Sequence, residues 1–481
     1  MPGVLTKGCS RSFREVNSWH DILAYVGDIV ATTPIKPKCN FKLTLGPEFR
    51  CPHDEYSNGL CIFHLLSLGE RLPDHAGWRL SVSIPTYGNQ IRAKFSELLQ
   101  FMESDPSRPV ADFRGFRLPE IDLRGHTFTK GVLFSEARFY GSAIFSEATF
   151  QRPVDFDHAV FAGSADFYSM AFEDAVSFAL VRFEDDADFV DGVCQGPADF
   201  NQCSVAGRLH FLNWEFEQEC SFWSLRRSKG GAILFDLVNL DKATFLGTQL
   251  ESVEFQAVRW LSSGKRRNML YDELPGSPRG AGGRRADPEH PLSEAELGYH
   301  QDQLAANYRQ LVLNYERTRD FDTAEDFHFG EMEMRNIIAG RRLRYASLRW
   351  LWRHVGPYKL YRVFSGYGAS WARALCWLLV WSLLVFPSAF MVAGFQRVDP
   401  VGGKSVRVIQ YRLAPDPRNI RQWLLDYGQA ISLSLSAATF QRVRLYEPAG
   451  PWSYFLMISG SVIFTSQAAL LLLALRRQFK R

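Results

Sequence analysis

Along residues 111 to 260 a large apolar residue returns every five positions, first as Phe113, Leu118, Leu123 and Phe128. From Phe134 onward the step alternates between five and six, so two series of centres interleave. One runs through Phe134, Phe145, Phe156, Phe167, Phe178, Phe189, Phe200, Phe211 and Phe222. The other runs through Phe139, Phe150, Phe161, Phe172, Phe183, Cys194, Val205 and Phe216. Two positions before these centres the residue is usually small, as at Ala111, Ala137, Ala143, Ala159, Ala165, Ala187, Ala198 and Ala243. After a break at Arg226 to Gly231, the five-residue step resumes at Phe235, Leu240, Phe245, Leu250, Phe255 and Trp260. A period of five suits neither a helix, at about 3.6, nor a strand, at about two, which points to a solenoid of stacked coils.

The rest of the chain has other periods. Residues 294–338 have helical periodicity around a short Arg-Asp-Phe-Asp turn and predict an αα-hairpin, packed on a neighbouring subunit or on the rod. Before it, residues 261–293 are rich in Gly, Pro and Arg and are expected to form a flexible linker. Two long uncharged runs, within 374–395 and 451–475, each match the roughly 20 residues a helix needs to cross a bilayer. The competing reading of these runs is a pair of buried core helices.

The solenoid pattern resembles the pentapeptide-repeat family, whose unit is a small residue, Asp or Asn, then Leu or Phe, as in Ala165-Asp166-Phe167 and Ala198-Asp199-Phe200. That resemblance implies a multidomain chain with a right-handed quadrilateral β-helix over 111–260, followed by the helical hairpin and two transmembrane helices with a re-entrant element. It implies large centres stacked inside, small residues at the corners, and roughly seven coils, giving a rod of about 34 Å at the strand spacing. The alternation of five and six departs from the strict unit and is expected to bulge or widen corners. Such a rod reads as a spacer or docking surface. Some pentapeptide-repeat proteins imitate DNA with an acidic rod. Here the acidic stretch Glu147 to Asp199 is read chiefly as a solvated flank, with a protein partner on it as the alternative and no direct nucleic-acid binding expected.

Charge sharpens the picture. The net charge is +3, yet by our count residues 111–260 hold about 23 carboxylates against 13 basic groups, and residues 261–481 about 18 against 30. Between Arg335 and Asp399 there is no carboxylate. Within 339–373, Arg341, Arg342, Arg344, Arg349 and Arg353 alternate with Leu343, Tyr345, Leu348, Trp350 and Trp352. This predicts an interfacial helix on anionic headgroups, leading into the first span. Basic flanks, including the tail 476–481, place both ends in the cytosol and 396–450 outside by the positive-inside rule. No signal-peptide stretch opens the chain, so residues 1 to 370 are expected in the cytosol.

Between the spans, 427–440 is weakly polar and reads as a short re-entrant helix. Span, short helix, polar loop, span resembles the order of two-span ion channels, and implies a homo-oligomer with four copies as first guess. The pore-loop candidates are Thr439, Phe440, Gln441, Arg442 and Arg444, and the pore-lining candidates Ser461, Thr465 and Gln467. No potassium-filter sequence follows the helix. The arginines either repel cations from a mouth or bind headgroups, and the polar span residues either line a pore or bond between helices. Residues 1–110 carry Cys39, Cys51, Cys61 and His64, with His53 as a spare, which suits a structural Cys3His zinc, one per chain. The other reading is free cysteines with a packed histidine. Eight cysteines in 481 residues exclude a disulfide-stapled scaffold. No nucleotide loop, His-Glu-x-x-His or Gly-x-Ser-x-Gly occurs, so no enzyme is expected. The whole arrangement resembles bacterial pentapeptide-repeat membrane proteins described as channel-like, which implies a cytoplasmic-membrane location.

Overall fold

A computed structural model describes residues 38–43, 51, 53–57, 59–65, 76–105, 107, 109–264, 266–274, 293–343, 345–398, 405–411, 420–439 and 446–479. The chain divides into two compact units, Met1–Glu331 and Met332–Arg481.

The first unit is a β-solenoid of about seven turns. Short strands stack into four parallel sheets of seven, six, seven and five strands, one per side. In the central coils partners in register lie 22 positions apart, as Val160 opposite Arg182 and Ala171 opposite Val193, so one coil there consumes two five-residue and two six-residue steps. The centres read from the sequence all point inward. Phe134, Phe156, Phe178 and Phe200 form one column with rings 4.8 to 5.2 Å apart and nearly parallel. A second column, Phe145, Phe167, Phe189 and Phe211, stands edge-on to the first, for example Phe178 to Phe189 at 5.6 Å and 85°. Edge-to-face packing of this kind suits the ring quadrupole. The alanines two positions earlier are buried as well, a position that Val154, Val176 and Leu209 fill in other coils.

The two step lengths make two kinds of corner. In the five-residue step the chain turns tightly, with the Ala137 N–H donating to Phe134 O (2.9 Å) and Ala159 N–H to Phe156 O (2.9 Å). The third residue of each such turn is left-handed: Glu136, Glu147, His158, Ser169, Leu180, Asp191, Gln202, Asn213 and Ser224, eleven apart, all with φ near +50° to +61°. The extra residue of the six-residue step opens the alternate corner, where the chain runs tight against the coil below. A Cβ on Gly163 or Gly207 would lie 2.5 or 2.3 Å from main-chain carbon of the preceding coil.

Both ends of the rod are covered. Helix α1 (Ala76–Ser104) buries Ile91, Phe95, Leu99 and Met102, with Phe95 5.1 Å from Phe113 of the first coil. Lys130 Nζ donates to the carbonyls of Met102 (2.6 Å) and Asp105 (2.5 Å) at its C-terminal end. At the other end lies helix α2 (Glu294–Arg317), opened by a capping box between Ser293 and Glu296. Asn307 Nδ2 donates to Phe245 O (2.6 Å), and Asn314 Nδ2 to Leu250 O (2.8 Å) and Val253 O (2.6 Å). The hairpin of α2 and α3 (Phe321–Arg341) therefore packs on the rod, through α2 and through Phe327 against Trp260 (5.3 Å).

The linker expected over 261–293 is corrected in its first part. Leu261–Ser263 and Arg266–Met269 pair as an antiparallel ribbon, followed by a 3-10 turn at Tyr271–Glu273. The order comes from buried polar partners that composition does not reveal. Arg266 Nη1 donates to both oxygens of Glu273 (2.7 and 2.8 Å), its Nη2 donates to Tyr308 OH (3.0 Å), and Asp272 accepts from Phe245 N (2.9 Å). Residues 275–292 lie outside the described residues.

In the second unit the interfacial helix expected over 339–373 is two helices, α4 (Ala346–Val355) and α5 (Pro357–Ser365). They break at Gly356 because Pro357 has no N–H to continue a helix. Gly366, Tyr367 and Gly368 follow in three successive left-handed conformations, which makes a tight elbow, as expected of a loop there. Helix α6 (Trp371–Val380), a π-turn (Trp381–Val385) and α7 (Phe386–Ala393) make the first long apolar helix. Strands Phe395–Val398, Ser405–Ile409 and Tyr446–Pro448 form an antiparallel sheet with the first in the middle. Helix α8 (Ile420–Thr439) starts seven residues before the expected 427, and α9 (Pro451–Phe479) is the second long apolar helix. Phe386, Phe390, Met391, Ala430, Leu433 and Phe464 form the core shared by α7, α8 and α9.

Candidate functional site

The three cysteines and the histidine of the N-terminal region meet. All four ligand atoms of Cys39, Cys51, Cys61 and His64 lie within 4.8 Å of one another, and all four residues are buried. Cys61 and His64 sit on one tight turn, with the His64 N–H donating to Cys61 O (3.0 Å). Cys51 Sγ is 3.8 Å from Cys61 Sγ, while His64 Nδ1 is 3.4 Å from Cys39 Sγ and 3.1 Å from Cys61 Sγ. Tetrahedral zinc with bonds of about 2.3 Å to sulfur and about 2.0 Å to nitrogen would set its ligands roughly 3.5 to 3.8 Å apart. The residues present fit such an ion. Burial pushes the His64 imidazole below its ordinary value, which favours the neutral, ligating form.

The cluster is built into the end of the rod. Phe41 stacks flat on the His64 ring at 3.9 Å, and Phe63 stacks on Phe116 at 4.4 Å. Gly115, left-handed at φ +70°, leaves the room that Phe41 occupies, since a Cβ there would lie 2.4 Å from its ring. His53, the spare, lies outside the ligand group, with its ring edge-on to Phe63 and Phe116.

Helices α6–α7 and α9 supply two stretches long and apolar enough to cross a membrane, Trp371–Ala393 and Pro451–Arg477. Polar groups join them to α8. Pro387 has no N–H, so the carbonyl of Leu383 lacks its helical donor, and Tyr427 OH of α8 donates to it (2.8 Å). Ser461 Oγ donates to Ala437 O of α8 (3.0 Å), and Gln467 Nε2 to Ala374 O (2.8 Å) and Phe364 O (3.4 Å). Two of the three pore-lining candidates thus bond between segments of the chain, whereas Thr465 is exposed and bonds only its own helix, at Ser461 O. Of the pore-loop candidates, Thr439 ends α8, and Phe440, Gln441, Arg442 and Arg444 lie outside the described residues. Arg341, Arg342 and Arg349 are exposed beside the exposed apolar side chains Leu348, Trp350, Leu351 and Val355. Arg344 lies outside the described residues, and Arg353 belongs to α4.

One site escaped sequence reasoning. Asp426, fully buried on α8, accepts from Tyr411 OH (2.6 Å), Gln422 Nε2 (3.1 Å) and Arg407 Nη2 (3.2 Å), which ties the three-stranded sheet to the helix. A lone carboxylate at the edge of an apolar stretch was its only signal. Facing Glu333 of α3, Arg362 (2.8 Å) and Tyr367 OH (2.9 Å) tie the elbow in the same way. The acidic run of the rod is part-neutralised by other coils: Arg138 reaches Glu184 two coils on (3.3 Å), and Arg208 reaches Asp188 (3.1 Å) and Asp186 (3.6 Å) of the coil before.

Comparison with known families agrees with this geometry. Residues 113–160 and 123–171 match the family model described as pentapeptide repeats (9 copies). The chain contains pentapeptide repeats folded as a β-solenoid, with two candidate membrane helices towards its C-terminal end. No curated protein and no solved structure matches it.

Proposed function

We propose that this membrane-associated repeat protein is channel-like: α6–α7 and α9 cross the bilayer, α8 enters it as a re-entrant element, and the chain works as a homo-oligomer, four copies being the first arrangement to test. The observation that carries this reading is α8. It is a third helix packed on both apolar helices, and its exposed side sets Gly428 and Ser432 among Leu424, Leu425 and Leu435, while α9 exposes Thr465 and Ser466. Polar helix surface at membrane depth requires cover by protein or a water-filled path, which neighbouring copies would provide. Thr465 then faces the path, and Thr439, Phe440, Gln441, Arg442 and Arg444 form its mouth. The basic and aromatic surface of α4, with exposed Leu360 and Val363 of α5, supports binding to anionic headgroups. Both basic flanks then face the cytosol.

The solenoid serves as a cytosolic sensor or docking rod in this reading, and the Cys39, Cys51, Cys61 and His64 site holds one structural zinc. A closed set of four ligands leaves no open position for catalysis, and no enzymatic role is proposed. The second reading, a membrane-anchored scaffold that recruits proteins through the rod, draws support from exposed carboxylates along the solenoid such as Glu147, Glu173 and Asp185. A DNA-mimic rod has less support, because arginines from other coils already occupy Glu184, Asp186 and Asp188.

Recording from purified protein in a planar bilayer, with Arg442 and Arg444 changed together to Gln, tests the channel. Discrete conductance steps whose ion preference shifts in the double variant support it. Silence from well-folded protein under voltage and stretch overturns it in favour of the scaffold.

A further inference from the structure

The elbow between α5 and α6 gathers positive charge from three helices. Arg373, in the first turn of α6, donates from Nη1 to the carbonyl of Arg362 on α5 (3.3 Å) and stands beside Gly366, where a Cβ would lie 3.2 Å from that nitrogen. Arg476 and Arg477 lie in the last turn of α9, which is joined to α6 and α5 by Gln467 Nε2 on the carbonyls of Ala374 (2.8 Å) and Phe364 (3.4 Å). Burial raises the Tyr361 hydroxyl above its ordinary value, and the nearby charge of Arg477 pulls it back. Arginines from the start of one apolar helix and the end of the other thus reach consecutive residues of α5, Tyr361 and Arg362.

No counter-charge is left to balance them. Helices α5, α6 and α9 contain no Asp or Glu. The carboxylate that does reach the elbow, Glu333, is already held by Arg362 (2.8 Å) and Tyr367 OH (2.9 Å). Arg373 and Arg476 are exposed and Arg477 half-buried, and none of the three joins an ion pair among the described residues. The Tyr361 hydroxyl takes no hydrogen-bond partner among the described residues either; it stands beside left-handed Gly368, where a Cβ would lie 2.6 Å from its oxygen. A phosphate, with acceptor oxygens on several sides, is the anion that can take two guanidinium groups and a phenol together.

We propose that the elbow is a headgroup site for one anionic phospholipid, whose phosphate accepts from Arg373, Arg477 and the Tyr361 hydroxyl. The position of the cluster selects a phosphate carried on a lipid. It lies where one membrane-length helix begins and the other ends, beside exposed Trp371, and exposed Cys376 and Leu379 continue the same side of α6 as an apolar track for an acyl chain. The inference rests on the membrane reading above, and adds to the broad headgroup contact of α4 a discrete site built from α5, α6 and α9.

The test titrates the full chain in detergent micelles with dioleoyl phosphatidylglycerol and counts retained lipid by native mass spectrometry. A saturable first binding event is expected, about tenfold tighter than for dioleoyl phosphatidylcholine or for glycerol phosphate, and weakened about tenfold when Arg373→Gln and Arg477→Gln are combined. Tyr361→Phe, which keeps the ring and removes one hydroxyl, should weaken it about threefold. Arg421→Gln, exposed on α8, should leave it unchanged. Equal retention of phosphatidylcholine, equally tight binding of glycerol phosphate, no loss in the double variant or in Tyr361→Phe, or equal loss in Arg421→Gln overturns the proposal. Selective retention by a chain that passes no current supports the site while the channel fails, and current without selective retention overturns the site alone.

Discussion

Removal of the zinc proposed for the Cys3His cluster should release the N-terminal head from the rod without melting the rod. Cys39, Cys51 and the Cys61–His64 turn come from three stretches of chain, and a bound metal would be the one group joining them through coordinate bonds. Without it, three thiols remain packed within 4.8 Å of one another and the imidazole, an arrangement that supplies little attraction. The segment then depends on buried Phe41, Leu60, Phe63 and Leu65 and on a few backbone bonds, such as Asn40 N–H to Gly59 O and Arg117 N–H to Phe63 O. Covering four such side chains is worth about 6 to 12 kcal/mol, less than the conformational entropy of ordering some twenty residues at about 1 kcal/mol or more each. Phe113, by contrast, stays covered by Phe95 of α1, so the first coil keeps its lid. The assay is metal content by mass spectrometry together with limited trypsin digestion of the full chain. About one zinc per chain is expected, and Cys61→Ser or chelation should lose it and expose cleavage after Lys38 and Lys42 while the solenoid resists. A Cys61→Ser protein that keeps its metal, or a metal-free protein with the native digestion pattern, would refute the reasoning.

Three further outcomes follow from packing and charge. Burial raises the Asp157 carboxyl well above its ordinary value, with Asp155 adding repulsion. Its charged form therefore costs stability that is fully present below about pH 3.8 and lost as pH rises through the raised value. Asn201 makes the equivalent contacts two coils on, to Ser221 Oγ and Trp223 N, so Asp157→Asn should melt higher than wild type at neutral pH and no higher in acid, by calorimetry. Gly192→Ala places a Cβ 2.2 Å from the buried Trp214 ring, and should cost about 1 to 3 kcal/mol; Trp214→Leu in the same chain should recover part of it in denaturant titration. Tyr427→Phe leaves Leu383 O without its donor and should lower stability in detergent by about 1 kcal/mol, whereas an unchanged transition would mean that the π-turn satisfies itself.

Legibility in the sequence followed the range of the interactions. The solenoid was readable because each coil repeats one local pattern, so Phe178 declares its place by its spacing from Phe156 and Phe200. The Cys3His cluster was readable from ligand chemistry, though only the fold brings Cys39 and Cys51 to the Cys61–His64 turn. The left-handed column was not foreseen: the widened corner was expected from the extra residue, but nothing in Glu136, Leu180 or Gln202 announces a positive φ. The start of α8 was misplaced because Arg421 and Asp426 look like loop residues until Arg407, Tyr411 and Gln422 are seen around the carboxylate. The ribbon at 261–269 was read as linker for the same reason, since its order depends on Glu273 and Tyr308 holding Arg266.

The 22-residue coil makes the rod a ruler with a single graduation. Inserting or deleting one whole coil between the end caps would move them by one strand spacing, about 4.8 Å, and return every face to its own side. A change of eleven residues would keep every turn and every phenylalanine in pattern, yet carry the C-terminal cap round to the opposite side of the rod. Length in this solenoid is thus free to vary only in full turns if whatever docks at its far end is to find the same face.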